Sequence, residues 1–559
     1  MGTLRIDELT PLAAGGAGVA GPFLDKGGAV FDAEAEGITP DGATDRLSAL
    51  QALNSQAAAA GKAILLKSGA GYVLSGTWSP TVPLVCADKE PAVFRPNGAF
   101  RALEFQGSAS GASTTLAASV EMNQDRISVT SAAGFTVGQL VRIQSNALWY
   151  YDNRGTAVKG ETHLIRHISG TTLYLDTQTW DSYDTGVETV TVVGYNPISP
   201  YLENVAVEYA TSTAVGGAVF GSCLRPRWWG GGVTNANLTG LGLVSSYDAD
   251  IQGITIFGAN NTGTGYGIQD NASYGTRIRD IRTAGCRRGV DFSGAYSVRG
   301  ALVTGSRFQG GGLAHDGSDL FAVSAGFAAH GPSEHIRFIG NEVVHCNSGA
   351  IVRGGDIEIR DNTFIGQGNT VITATHGTNL RVTDNEYRGN IRPSKATIGS
   401  SLNNLTHLDF LFIGADYSWD SSARTIIQGN HAHSVKRAFL SLAPPTSGNV
   451  QHLYVLDNFV QILPNTGSLV TNFIRATGAL TAVSSLLDVR NVVADGLGTY
   501  TRIDGSITLG SGHVVLADYS ASNVTTDRAF DANATTLDEI ADVVGTLLVD
   551  LRKHGIIAP

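Results

Sequence analysis

Between Ile336 and Asn491 one short phrase returns six times: alternating apolar residues, then Gly, Asp or Arg, then Asn. It reads Ile336-Arg-Phe338-Ile-Gly340-Asn341, Ile357-Glu-Ile359-Arg-Asp361-Asn362 and Leu380-Arg-Val382-Thr-Asp384-Asn385. It returns as Ile426-Ile427-Gln-Gly429-Asn430, Leu453-Tyr-Val455-Leu-Asp457-Asn458 and Leu486-Leu-Asp-Val489-Arg490-Asn491. Such alternation turns one side chain inward and the next toward solvent, which is strand periodicity and not helix periodicity. The Asn residues are 21, 23, 45, 28 and 33 positions apart. The two shortest intervals fit one coil of a β-solenoid, the interval of 45 reads as two coils, and 28 and 33 read as coils with loop insertions. A unit this small buries its apolar face only by stacking on a neighbouring copy. Asn at a bend tolerates a left-handed backbone, and its amide reaches the Asn one coil above.

Weaker relatives upstream, Ile251-Gln-Gly-Ile254-Thr-Ile256, Ile278-Arg-Asp-Ile281 and Val290-Asp291-Phe292, extend the pattern. The expected fold is mainly β: a right-handed parallel β-helix with an N-terminal capping helix, a small inserted β module and a C-terminal helix. The helix proper is placed at 196–505, about a dozen coils at about 4.8 Å each. Its start occupies 25–120, where Phe31-Asp32 leads through Gly37, Asp41 and Asp45 into an Ala/Leu-rich helix from Leu47 to Ala60 that Gly61 ends. That helix would cover apolar side chains and unpaired backbone groups at the open end. The inserted module is placed at 121–195, on the alternating strands Arg126 to Thr130, Gln139 to Ile143 and Thr172 to Leu175. Residues 506–534 read as C-terminal strands or linker. From 535 to 559, Thr536-Leu-Asp-Glu539 is a capping box, and Leu537, Ile540, Val544, Leu547 and Leu551 recur in steps of 3, 4, 3 and 4. This seam is too short to be stable alone and is expected to clamp parallel rods together, the alternative being a helix packed on its own chain.

Composition narrows the partners. Gly numbers 69 and Pro 16, without a Gly-X-Y period, which suits many short strands joined by tight turns. Lys and Arg total 38 against 49 Asp and Glu, a formal charge of −11, and the basic residues form no run, so nucleic acid is excluded. No apolar stretch approaches the length of a membrane span, so no membrane insertion is expected. Residues Met1 to Val19 lack the apolar core of a secretory signal, so assembly in the cytoplasm and release by lysis are expected. Cys86, Cys223, Cys286 and Cys346 are far apart in sequence and read as buried thiols, although stacked coils would let Cys286 and Cys346 meet. Gly230-Gly231-Gly232 and Gly310-Gly311-Gly312 lack the Lys of a phosphate loop, and no metal site or cofactor is expected.

The opening Phe31-Asp32, Gly37, Asp41-Gly42 and Asp45 before the Ala-rich helix resembles the start of the pectate-lyase-like superfamily, and within it phage tailspike proteins. The stretch Ala132 to Ile143 resembles an insertion common in those spikes, and Asp527 to Leu548 resembles C-terminal segments of phage structural proteins. The resemblance implies a homotrimeric virion spike that binds host capsular or exopolysaccharide, and in many cases also cleaves it. It implies attachment to the particle, or to an adaptor protein, through residues 1–24. Phage-like gene transfer agents carry similar spikes. The missing signal and the terminal heptads argue against a secreted lyase unrelated to a particle.

One dense polar cluster offers chemistry: Asp291, His315, Asp316, Asp319, His330, Ser333, Glu334 and His335. Asp291 to Asp316 is 25 residues and Asp316 to Glu334 is 18, so consecutive coils are expected to bring these carboxylates together. Glycoside hydrolysis needs two carboxylates, about 5–5.5 Å apart for retention or about 6.5–9.5 Å for inversion. Asp291, Asp316, Asp319, Glu334 and His330 are thus the catalytic candidates, set against the plainer role of turn-forming, solvated loop residues. Trp149, Tyr150, Tyr151, Trp228 and Trp229 are candidates for stacking on sugar rings, with His315, His335 and Arg353 as polar contacts. Buried packing is the competing role for each aromatic.

Overall fold

The computed structural model describes residues 30–149, 157–329, 331–374, 379–389, 409–413, 424–435, 438–442, 450–462, 472–476, 483–495 and 501–503. Its backbone climbs as a parallel β-helix built from three ladders. The first stacks Asp250–Gln252, Arg277–Arg279, Leu302–Thr304, Ser333–Ile339 and Gly355–Arg360. The second stacks Thr255–Phe257, Arg282–Ala284, Arg307–Gln309 and Glu342–Val344. The third stacks Tyr266–Asn271, Arg288–Phe292, Ala325–Ala329 and Ser348–Val352, within a sheet of 12 strands among the described residues. Alternation sorts the side chains: Ile336, Phe338, Ile357, Ile359 and Val382 join one core that extends from Ala33 to Ile474. Arg337, Glu358 and Arg381 hold one register on the outside.

The bend in each repeat differs from the sequence reading in one respect. The left-handed residue is the one before Asn: Gly340, Asp361, Asp384, Gly429, Asp457 and Arg490 have φ between 54° and 67°. That twist frees the following Asn to point inward. Asn341, Asn362, Asn385, Asn430, Asn458 and Asn491 then form a chain in which each carboxamide N–H donates to the next Asn Oδ1 at 2.8–3.0 Å. The same oxygen accepts the backbone N–H of the Asn below at 2.9–3.1 Å. These buried amides are satisfied by one another, by neighbouring carbonyls and, at Asn341, by the backbone N–H of Ser306 at 3.0 Å. Because Asn385 bonds directly to Asn430, and Leu380–Thr383 pairs with Arg424–Gln428, the interval of 45 residues is a single enlarged coil and not two.

Helix Leu47–Ala60 closes the N-terminal end, burying Leu50, Leu53 and Ala57 in the common core. Gly61 ends it at φ 65°, its N–H donating to Ala58 O at 3.1 Å while Lys62 N–H reaches Ala57 O at 2.8 Å. Between Leu103–Gln106 and Tyr201–Thr213 the chain leaves the coils and builds a separate antiparallel sheet, of six strands among the described residues. Its strands include Leu140–Leu148, Val158–Ser169 and Val190–Asn196. The sheet also takes in Ser108–Thr115, ahead of position 121, because Val190–Asn196 pairs with that strand. It has a core of its own around Ile127, Val129, Val141, Ile143, Leu173 and Val192.

All four cysteines are buried free thiols. Cys286 and Cys346 do not meet, because the coil carrying Gln309 lies between Ala284 and Val344. Residues 1–24, expected to attach the particle, the stretch 506–534 and the heptad pattern of 535–559 lie outside the described residues. Among the described residues no helix is long and apolar enough to cross a membrane.

Candidate functional site

Register decides which candidate residues can meet. Asp291 lies in the third ladder, level with Gln269 and Ala328, buried and ion-paired to Arg288 at 2.6 Å. Glu334 lies in the first ladder, level with Arg299 and Gly355. Asp316, Asp319 and His315 sit on an exposed loop between the second and third ladders. There Asp316 accepts from Ser318 Oγ at 2.6 Å, the first cause of its lowered pKa, and His315 N–H donates to Asn260 O at 3.2 Å. Asp291, Asp316 and Glu334 therefore do not face one another on consecutive coils. Their intervals of 25 and 18 residues each end on a different part of the coil. His330 lies outside the described residues.

The aromatic candidates divide as well. Trp228 is fully buried in the core, its Nε1–H donating to Val205 O at 3.1 Å, and is closed to a sugar. Trp149 is likewise buried, and Tyr150 and Tyr151 lie outside the described residues. Trp229, one residue on, faces outward by strand alternation. Its ring meets Tyr201 edge-on at 5.6 Å, and its Nε1–H reaches Asp250 Oδ2 at 3.3 Å. Arg353 is half-buried at the corner after Ser348–Val352.

Glu334 and His335 belong to a site that sequence reasoning saw only in part. Tyr247, Tyr274, Arg299 and Glu334 occupy one register on four successive coils. The inserted module leans over this column. Arg299, 1% exposed, meets Asp181 at 2.9 Å and Glu161 at 3.4 Å from the module, and Glu334 at 2.7 Å from the next coil. Glu161 also accepts from Tyr183 OH at 2.9 Å and Trp180 N–H at 2.8 Å, and touches His163 Nε2 at 2.8 Å. Burial raises the proton affinity of Glu161, but the charges of His163 and Arg299 outweigh it and hold the pKa at about 2. At Asp181 burial, reinforced by the charges of Glu161 and Glu334, outweighs Arg299 and pushes the pKa to about 7. Three carboxylates on one buried guanidinium thus retain a proton instead of separating.

The rim of this junction is open. Trp180 packs against His335 with ring centroids 4.4 Å apart and planes tilted by 42°, and lies 6.4 Å from Tyr274. His335 Nδ1 is 2.5 Å from Asp356 Oδ2. Both residues are left-handed, with φ 56° and 51°, a conformation that costs a bulky side chain free energy and directs both outward at one corner. Glu334, His335, Asp356, Trp180 and Tyr274 form a polar and aromatic edge where module meets coils. No spacing rule links Glu161, Trp180 or Asp181 to Arg299, so the sequence carried no signal for the module's half. Among the described residues no cluster of His, Cys, Asp and Glu could hold a metal ion.

No family model matches the chain, and no curated protein matches it. Solved structures do. The tailspike protein gp49 of Pseudomonas phage LKA1 aligns with a TM-score of 0.51 at 17% identity, covering 80% of this chain and 83% of that one. The Gp54 tailspike of Acinetobacter baumannii bacteriophage AP22, solved with A. baumannii capsular saccharide, gives 0.48 at 15% identity over 87% and 74%. The tailspike gp61 of Pseudomonas phage phi297 gives 0.44 at 14% over 83% and 80%. The first of these likenesses establishes the architecture: the chain has a tailspike-type parallel β-helix fold.

Proposed function

We propose that this protein is the receptor-binding spike of a phage or phage-like particle, a gene transfer agent included, that binds host capsular or exopolysaccharide for attachment. The observation that carries the reading is the open edge at the junction. A polysaccharide presents rows of hydroxyls and apolar ring faces. The carboxylates of Glu334 and Asp356 accept hydroxyl protons, and the edges of Trp180 and Tyr274 take apolar faces. Glu334 and Asp356 lie on stacked strands, which hold them more rigidly than loops would. On this reading residues 1–24 join the particle directly or through an adaptor, 535–559 hold a homotrimer, and the particle leaves its host by lysis. Asp356→Asn, which keeps a residue tolerant of the left-handed backbone, tests it: affinity for host envelope polysaccharide drops about tenfold. Unchanged affinity removes the junction from the binding surface.

A second reading, that the spike also cleaves this polysaccharide, draws on Asp181, which keeps its proton to about pH 7 beside Glu334. A carboxyl with raised pKa near a second carboxylate is what hydrolysis needs. Asp181 is buried, so this reading requires the module to lift. New reducing ends report hydrolysis, the absorbance of an unsaturated uronate reports elimination, and neither product leaves binding alone.

A further inference from the structure

On the outer face of the second ladder Phe257, Ala284 and Gln309 hold one register on three successive coils. Phe257 is 51% exposed. Ala284 ends at its β-carbon, so a slot opens between the Phe257 ring and the Gln309 carboxamide, two strand spacings or about 9.6 Å apart. Gly258 and Gly285 keep the floor low with left-handed φ of 79° and 59°, and a β-carbon on Gly258 would press on Asn235 Oδ1 at 3.0 Å. The chain from Gly310 to Leu313 forms the far wall, held by Asn260 Nδ2 donating to Leu313 O at 3.2 Å. The slot is half open and has a volume of about 300 Å³, at the small end of ligand sites.

Charge beside the slot has an unexpected sign. Arg282 lies two residues before Ala284 and faces the same way, and Arg277 opens the same coil; both are exposed. Among the described residues neither forms an ion pair, whereas Arg279 is paired to Asp250 at 2.8 Å and Arg307 to Glu342 at 3.0 Å. Asp280, on the turn between them, is bonded to neither. In a chain of net charge −11, Arg282 puts an unpaired guanidinium next to a sugar-sized slot, while the charge of Arg277 also acts on Asp248.

We infer that the outer face of the coil from Arg277 to Gly285 is a subsite for an acidic sugar: a pyranose ring seated over Ala284 against Phe257, hydroxyls on Gln309, and the carboxylate on Arg282. A guanidinium binds a carboxylate through two parallel N–H bonds, and the aromatic ring takes the apolar sugar face. The inference rests on the polysaccharide-binding reading and adds the charge class of the polymer. It is tested with the full chain on immobilised alginate, polygalacturonate and dextran, at low and high salt, as wild type, Arg282→Ser and Ala284→Leu, each also run in a sedimentation experiment. The acidic polymers should retain the wild type, salt should weaken that retention, and each variant should lose about tenfold in affinity. Retention of acidic polymers that neither variant changes, or retention of neither acidic polymer, overturns the inference. The broader reading is judged separately, by Asp356→Asn on envelope polysaccharide. A variant that sediments differently makes the face a contact between copies and overturns the inference too.

Discussion

Gly289 lies directly beneath Phe308, so that a β-carbon there would come 2.2 Å from the ring's Cδ1. The same relationship recurs up the third ladder. Gly240 faces Ile256 at 2.6 Å, Gly326 faces Val343 at 2.6 Å and Gly349 faces Phe364 at 2.4 Å. From Gly240 to Gly349 a glycine on each coil thus lets the third ladder approach the core side chains of the second, and beyond it Val371 takes the same position. Gly289→Ala should destabilise the protein by about 1–3 kcal/mol through overpacking. Gly186→Ala, on an exposed turn of the module, should stay within about 0.5 kcal/mol. Denaturant midpoints compare the two, and equal effects would show that the glycine column does not set the ladder spacing.

The asparagine chain makes a second test of the coil. Asn385→Ala removes the acceptor used by both the backbone N–H and the carboxamide of Asn362. Leaving these buried donors unpaired should cost about 2–3 kcal/mol. Urea unfolding measures it, and a loss no larger than for a surface Asn→Ala change would contradict the account.

Stability should depend on pH through Asp181. An unfolded Asp gives up its proton near about 3.9, whereas burial carries Asp181 to about 7. Between those values the folded chain holds the extra proton, so stability falls as pH rises through the window and levels off above it. Glu161, held at about 2, acts oppositely and only at lower pH, where stability falls as acid protonates it. Asp181→Asn should flatten the slope between the two Asp181 limits. Midpoints followed against pH decide, and parallel profiles for wild type and variant would contradict the assignment.

Arg299→Met leaves Asp181 and Glu334 without their counter-charge and Glu161 with His163 alone, a change expected to cost about 3–5 kcal/mol. Limited proteolysis should then cut the connections between module and coils first. Resistance equal to that of the wild type would mean that other contacts, such as Thr162 Oγ1 to Ala272 O at 2.8 Å, hold the module unaided.

What could be read in advance followed from periodicity. Alternation and the returning Asn gave the coils, their stacking and the amide chain, and the Ala-rich run before Gly61 gave the capping helix to the residue. Sequence distance was a poorer guide wherever a coil changes length. The interval from Asn385 to Asn430 is one coil, and Asp291, Asp316 and Glu334 fall on different parts of theirs. Adjacent Trp228 and Trp229 look alike in a string, yet alternation buries one in the core and leaves the other half-buried on the outer face. The junction was legible only on the coil side, at Glu334 and His335. Arg299 meets Glu161 and Asp181 through a docking of two sheets, and local spacing does not encode docking.

The most direct test of the central claim is retention of the full-length protein on purified envelope polysaccharide from the host. Saturable binding that fragments of the same polymer compete away is the expected result. A protein that passes over every envelope polysaccharide of its host without retardation would contradict it.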